Sequence, residues 1–258
     1  MLFFYIKTID KVKLLIYNVY KVHNKEWIVE DNMDINNPLY KNQGIHVVCT
    51  LFTVKEGEVK VLLVQRSNKP YTDKWMLPSG AVYNNEDCET AIKREMLEKT
   101  GIEGIYVEQF HTFSNPNRSP LMRMIAVGYI GIVNGDNIKI KTKTEKTQNS
   151  AWFNLRDVPE DLAYDHREIL LEAIEKIKHK IMRSTIVKSL LPKYFTLPEL
   201  QKVYEAILDK KFDRRNFRKK FLTLDLIENT GLTQPIKGHR PANLYKFVTK
   251  GEYDIEIF

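Results

Sequence analysis

The stretch Gly80–Ile102 reads GAVYNNEDCETAIKREMLEKTGI, and the fold of the chain is decided by how it is read. It is entered through Pro78-Ser79-Gly80, a turn signal. From about Glu86 to Thr100 the sequence is helical. Asn84 or Asn85 is placed to cap the start, and Glu86, Asp87 and Glu89 fall in the first turn, where the helix dipole favours negative charge. Gly101, just past the end, is a natural C-cap. Glu95, Glu98 and Lys99 are spaced i, i+3, i+4, which puts all three on one face. Two carboxylates so spaced can grip a hard cation such as Mg²⁺, which takes oxygen ligands in octahedral geometry. A lysine beside them repels that cation and pairs with the carboxylates instead. The bland alternative for the trio is a solvated helix face.

Outward from this stretch, the residues resemble the Nudix box. That signature runs Gly, five residues, Glu, seven residues, Arg-Glu, an aliphatic, any residue, Glu-Glu, any residue, Gly, an aliphatic. Gly80, Glu86, Arg94, Glu95, Met96, Glu98, Gly101 and Ile102 all fall in place. The second of the paired glutamates, a principal metal ligand in active members, is here Lys99, and the usual Pro-Gly-Gly is Pro78-Ser79-Gly80. The resemblance implies an α/β fold, the Nudix α/β/α sandwich with a mixed sheet. It also implies that Glu95 and Glu98 are the residual catalytic and metal-binding residues, with Glu145 as a candidate remote base. Lys99 predicts weak Mg²⁺ binding and weak or lost hydrolysis.

The strands expected around this helix follow from β-branched apolar runs. Gly44–Val54 and Val59–Gln65 read as a hairpin across Glu56-Gly57-Glu58, and Tyr106–Phe113, Met122–Val133 and Ala151–Phe153 as further strands. Lys139–Thr147 alternates Lys and Thr and reads as a solvated loop. His166 to about Leu191 carries apolar residues at helical spacing and reads as a connector or dimer helix, or as a plain helix covering the core.

Composition allows two domains in 258 residues, with 43% hydrophobic content for a core. Cys49 and Cys88 offer no disulfide framework and no metal-ligand spacing, so a reducing cytoplasm is the expected setting. Residues 1–32 are apolar but broken by Lys7, Asp10, Lys11 and Lys13, too charged and too short for a membrane span. They read as an upstream extension or an ordinary N-terminal element. The net charge is +7, and residues 196–250 hold twelve Lys and Arg against six Asp and Glu, almost the whole surplus. A basic segment on a nearly neutral body points to a polyanionic partner.

That basic segment has its own order. Thr196 and Glu199 form a capping box, with Pro198 in the first turn of a helix to about Leu208. Asp213 caps a second helix, Arg214–Leu224, with Phe217, Phe221 and Leu224 on its buried face. Leu226–Glu228 and Leu244–Phe247 read as strands flanking a loop with Lys237 and Arg240. Helix, turn, basic helix, strand, basic loop, strand is the order of a winged helix-turn-helix.

From about residue 44 the chain resembles the NrtR-like transcriptional regulators, which join a Nudix domain to a C-terminal winged helix. The stretch FTLPELQKVYEAILDKKFDRRNFRKKFL and Arg240-Pro241-Ala242 carry the second half of the likeness. The loop Asn117-Arg118-Ser119-Pro120-Leu121-Met122-Arg123 stands where a subgroup carries Asp-Arg-Asp-Pro-Arg-Gly. The division expected is 1–43 extension, 44–165 Nudix domain, 166–192 connector and 193–258 winged helix. The likeness implies a homodimer on double-stranded operator DNA, with a small effector, ADP-ribose or a sugar, in the Nudix domain. Candidate ligand-binding residues are Arg66, Gly80, Arg118 and Arg123. An arginine fork suits diphosphate oxygens, although a surface arginine is an equal reading of Arg118. Candidate DNA-binding residues are Arg214, Arg215, Arg218, Lys219, Lys237 and Arg240. No cofactor is required for this role. The competing readings are a Mg²⁺-dependent pyrophosphatase acting on ADP-ribose or a related nucleoside diphosphate derivative, and a protein–protein module whose basic helix is a solvated face.

Overall fold

The computed structural model describes residues 37–39, 41–135, 138–236, 239–248 and 257, with backbone alone for 236, 239 and 240. The readings of residues 1–32 and of Lys237 lie outside the described residues, as does the side chain of Arg240. The chain divides into two compact units at Asn42, and every element below belongs to the second, Gln43–Phe258.

In chain order the elements are β1 (Gly44–Lys55), β2 (Glu58–Arg66), β3 (Trp75–Met76), β4 (Ser79–Ala81), α1 (Cys88–Thr100), β5 (Val107–Phe113), β6 (Met124–Ile132), β7 (Thr147–Asn154), α2 (His166–Arg183), α3 (Leu197–Leu208), α4 (Arg214–Thr223), β8 (Ile227–Ile236) and β9 (His239–Phe247). Strands β1 to β7 form one mixed sheet in the order β3-β2-β1-β6-β5, with β4 on β1 and β7 on β2. β1 and β6 run parallel, and the other pairings in this sheet are antiparallel.

β1 explains the layering. Val47, Cys49 and Leu51 pack with Ala91, Ile92 and Met96 of α1, whereas Val48 and Phe52 pack with Ile169, Ala173 and Ile177 of α2. Covered on both faces, it reads as a continuous apolar run instead of an alternation. The result is the α/β/α sandwich expected from the box. The hairpin from β1 to β2 closes on Glu56 (φ 57°) and Gly57 (φ 80°), the two positive-φ positions that a two-residue turn of type I′ requires.

Three local expectations are corrected. Ser79-Gly80 is not a turn: it lies in β4, paired to Val47 and Val48, because the edge of β1 needs partners there and Pro78 supplies a carbonyl to Cys49 N–H. β7 begins at Thr147, well before Ala151. Its polar residues Thr147 and Ser150 are buried because their hydroxyls donate to the Lys99 carbonyl at the end of α1. The helix expected to reach Leu191 ends at Arg183; Ser184 then caps a 3-10 turn, Thr185–Leu190.

The winged helix follows the sequence closely. Thr196 and Glu199 make the reciprocal capping box, and Asp213 caps α4 by accepting from Asn216 N–H at 2.9 Å. Phe217 and Phe221 are buried against Tyr204 of α3, with ring centroids 5.7 and 5.3 Å away. β8 and β9 are longer than read, because the wing extends as a ladder from Ile227–Phe247 out to Ile236–His239. One apolar cluster runs from the sheet through α2 and the 3-10 turn to α3, α4 and Tyr245. α2 is therefore packed on the sheet and shares one apolar cluster with α3 and α4.

Candidate functional site

The site grows from α1. Its N-cap is Asp87, which accepts from Thr90 N–H at 2.7 Å, and not Asn84 or Asn85. The reason lies in Glu86: its carboxylate accepts from Tyr83 N–H and takes both arms of Arg94, at 2.6 and 2.9 Å, so the chain enters the helix one residue later. Gly101 adopts φ 73° and closes the other end through Leu97 O.

Arg94 is the hub of the box. Besides Glu86 it contacts Glu95 Oε1 at 2.5 Å, Glu98 Oε2 at 3.2 Å and the Ala81 carbonyl at 2.9 Å, and its guanidinium lies 3.9 Å from the Tyr83 ring centre. Its pKa is raised by these carboxylates, Glu86 foremost. Lys99 is buried, donates to the Ser79 carbonyl, and lies 3.2 Å from Glu95 Oε2. That oxygen accepts no hydrogen bond, so the pair is held by charge. Burial pulls the Lys99 pKa down, with Glu95 opposing. Lys146 completes the cluster by pairing with Glu98 and lying 3.9 Å from Glu95. Gly80 is fixed by this packing, since a Cβ there would collide with the Glu95 carboxyl.

The box implies a divalent metal on Glu95 and Glu98. The residues do not fit one. Both carboxylates are already matched by Arg94, Lys99 and Lys146, and an ammonium stands where a third carboxylate is needed. Among the described residues no three His, Cys, Asp or Glu side chains are grouped to hold a metal. Glu145, the candidate base, is exposed on the loop, and it is its neighbour Lys146 that turns into the site. Lys146 carried no signal in the sequence beyond lying in a Lys/Thr-rich loop.

Beside the cluster is a cavity of about 110 Å³, lined among others by His46, Arg66, Gly80, Lys99, Arg118 and His166. Three of the four candidate ligand residues thus converge. Arg123 does not: its guanidinium donates to the Ser114 carbonyl at 2.8 Å and ties the loop together. Arg66, at the end of β2, donates to the Pro70 and Asn68 carbonyls and meets no carboxylate among the described residues. Arg118 is buried, not a surface arginine; it makes a two-pronged pair with Asp165 at 2.8 and 2.7 Å. His166, the first residue of α2, accepts from Leu77 N–H at 3.0 Å through Nδ1, which leaves its proton on Nε2. Sequence reading passed over both histidines, because only the fold brings β1 and the start of α2 together.

Burial, with Arg118 and Lys99 adding, lowers His46 to about 4 and His166 well below the histidine range. Both rings are neutral at neutral pH. An unfolded histidine takes its proton near pH 6.5, so between about 6.5 and 4 the unfolded chain binds more protons than the folded one. Stability is therefore expected to be full above pH 6.5 and to fall steadily as pH drops through that window. Thermal melts across it check this, and the slope should shrink in His46→Gln.

In the winged helix, Arg214, Arg215, Arg218, Lys219 and Lys220 are exposed on α4, and no carboxylate among the described residues pairs with them. By contrast, Lys211 is tied to Glu205 at 3.0 Å and Lys246 to Glu228 at 2.6 Å. α4 thus presents a set of exposed cations that no carboxylate among the described residues neutralises.

The chain matches the NUDIX domain family over residues 43–173 and the NrtR DNA-binding winged helix domain over 187–247. It is 33% identical over 221 residues to the ADPR responsive transcriptional repressor NtrR of Acinetobacter baylyi, covering 84% of this chain and 87% of that one. The chain belongs to the NrtR family. The crystal structure of Shewanella oneidensis NrtR complexed with a 27mer DNA superposes with a TM-score of 0.70 at 35% identity, over 79% of this chain and 93% of that one. The NUDIX domain of the same NrtR, complexed with ADP ribose, superposes at 0.51 and 29% identity, over 59% of this chain and 97% of that one. As an NrtR-family chain it is a DNA-binding transcriptional regulator, with its reader in α3, α4 and the β8–β9 wing. No helix of its described residues is long and apolar enough to cross a membrane.

Proposed function

We propose that this chain is a repressor whose Nudix domain binds ADP-ribose and whose winged helix releases operator DNA in response. The observation that carries the reading is the cavity with Arg66, Lys99 and Arg118 on its wall, joined through α2 and a shared apolar core to a basic recognition helix. Three cations at one cavity suit a diphosphate, and free arginines on a helix suit a duplex. The DNA partner of the Shewanella protein and the effector named for the Acinetobacter relative support the same assignment. The functional unit is a homodimer, because two recognition helices must meet half-sites about 34 Å apart, one turn of DNA. Arg214, Arg215 and Arg218 read bases, while Lys219, Lys237 and Arg240 meet phosphates.

Hydrolysis is not part of this function. Glu95 and Glu98 are committed to cations of the protein itself, so no appreciable AMP is expected from ADP-ribose and Mg²⁺. Robust AMP release, lost on Glu98→Gln, would make the protein a pyrophosphatase with an accessory DNA domain. For the regulator, a ligand shifts an equilibrium only by its differential affinity for the two states. ADP-ribose is expected to weaken binding to a selected palindromic duplex by roughly 5- to 150-fold, a coupling of about 1–3 kcal/mol. By linkage the duplex must weaken ADP-ribose binding by the same factor. Calorimetry of ADP-ribose with and without the duplex measures both, and identical dissociation constants would sink the sensor role.

A further inference from the structure

The geometry points to Lys99 as a built-in replacement for the metal, so that the effector's diphosphate is bound without any divalent cation, held by Lys99 and Arg66. This rests on the effector reading above and sharpens it. An ammonium has three N–H donors. Lys99 directs one at the Ser79 carbonyl and is held against Glu95 by charge alone, while its side chain also lines the cavity, so its remaining donors are available to a ligand oxygen. Arg66 reaches the same cavity with its donors on two carbonyls and the Met76 sulfur, none of which cancels its charge. Arg118 adds the Nη1 edge that its pair with Asp165 leaves over.

The cavity wall favours an anion. It includes three cations, two histidines held neutral and two serines, with no Asp or Glu among the described lining residues. Glu95 and Asp165 pair with Lys99 and Arg118 from outside the lining, and Arg66 is paired with no carboxylate among the described residues. A metal–diphosphate complex needs carboxylates on the protein side, whereas a bare diphosphate needs cations. The room, about 110 Å³, is that of three or four waters at roughly 30 Å³ each, enough for a phosphate head group but not for a whole nucleotide. Glu95 serves here as the positioning residue that holds Lys99: it lies on the box side of the lysine, Gly80 leaves space for it, and Arg94 fixes its other oxygen.

The test is calorimetry on the full chain with two probes, ADP-ribose and inorganic pyrophosphate, each in Mg²⁺ and in EDTA. Wild-type protein should bind both probes equally well in the two conditions. Lys99→Met keeps the length and apolar stem but removes the charge, and should weaken both probes by about 10- to 100-fold whether or not metal is present. Lys99→Glu should bind ADP-ribose only when Mg²⁺ or Mn²⁺ is added. Arg66→Gln gives a second reading of the same cavity should Lys99→Met fail to fold, with a similar loss expected. Binding of ADP-ribose to wild type that disappears in EDTA would overturn the inference while leaving the effector reading standing. Metal-free pyrophosphate binding without ADP-ribose binding would do the reverse. Unchanged affinity in both Lys99→Met and Arg66→Gln would also overturn it.

Discussion

Arg118→Ala is expected to destabilise the folded chain by about 2–4 kcal/mol. Breaking a buried pair by removing one partner costs about 3–5 kcal/mol, because the other charge is left uncompensated. That other charge is Asp165, only 14% exposed at its side chain and facing the 4% exposed Arg118. Asp165 is also the N-cap residue of α2, and its side chain makes no capping bond because Arg118 holds it. Once released it can turn to the helix end and return about 1 kcal/mol. For a domain of this size the net loss corresponds to about 5–15 °C in melting temperature. A double-mutant cycle with Asp165→Asn checks the cause: the double variant should be clearly more stable than the sum of the singles predicts. A melting temperature unchanged by Arg118→Ala would show that the pair is incidental. The same contact joins the cavity wall to the N-terminus of α2, since Arg118 lines the cavity and pairs with Asp165.

Operator binding should be as sensitive. Arg218→Ala is expected to cost about 1–3 kcal/mol, or roughly 5- to 150-fold per half-site, and to relax the preference at one base pair. Arg214 and Arg218 lie four residues apart on α4, Arg215 and Lys219 form the neighbouring stripe, and Phe217 and Phe221 turn inward onto Tyr204. The three arginines occupy the N-terminal part of the helix, the part that reaches base edges in this motif. Lys219→Ala should instead weaken every duplex about equally and lower the salt slope by about one. Competition titrations with specific and scrambled duplexes at several salt concentrations separate the two patterns. If Arg218→Ala left affinity and preference intact, α4 would not be the reading element.

The sequence alone determined what depends on local spacing. The box fixed α1 and its C-cap, because helix periodicity and a left-handed glycine are set by neighbours along the chain. Thr196 with Glu199, and Asp213 before Arg214, marked the starts of α3 and α4 for the same reason: caps act within one turn. Lys99 in the place of a glutamate was legible from charge alone as a reason to expect weak metal binding. What tertiary structure decided are the contacts between distant segments. Lys146 lies 48 residues beyond Glu98 and enters the ion cluster only because β7 packs behind α1. Arg118 meets Asp165, 47 residues away, so a residue that reads as a surface or ligand arginine is first of all half of a buried pair. His46 and His166 become neutral cavity groups only when β1 and the start of α2 are brought together. Arg123 matched a motif yet serves its own loop, since a spacing rule fixes position along the chain but not the direction of a long flexible side chain. Nor does the period of α2 tell a free connector from a packed one: an apolar stripe says that a face is buried, and only the fold says against what.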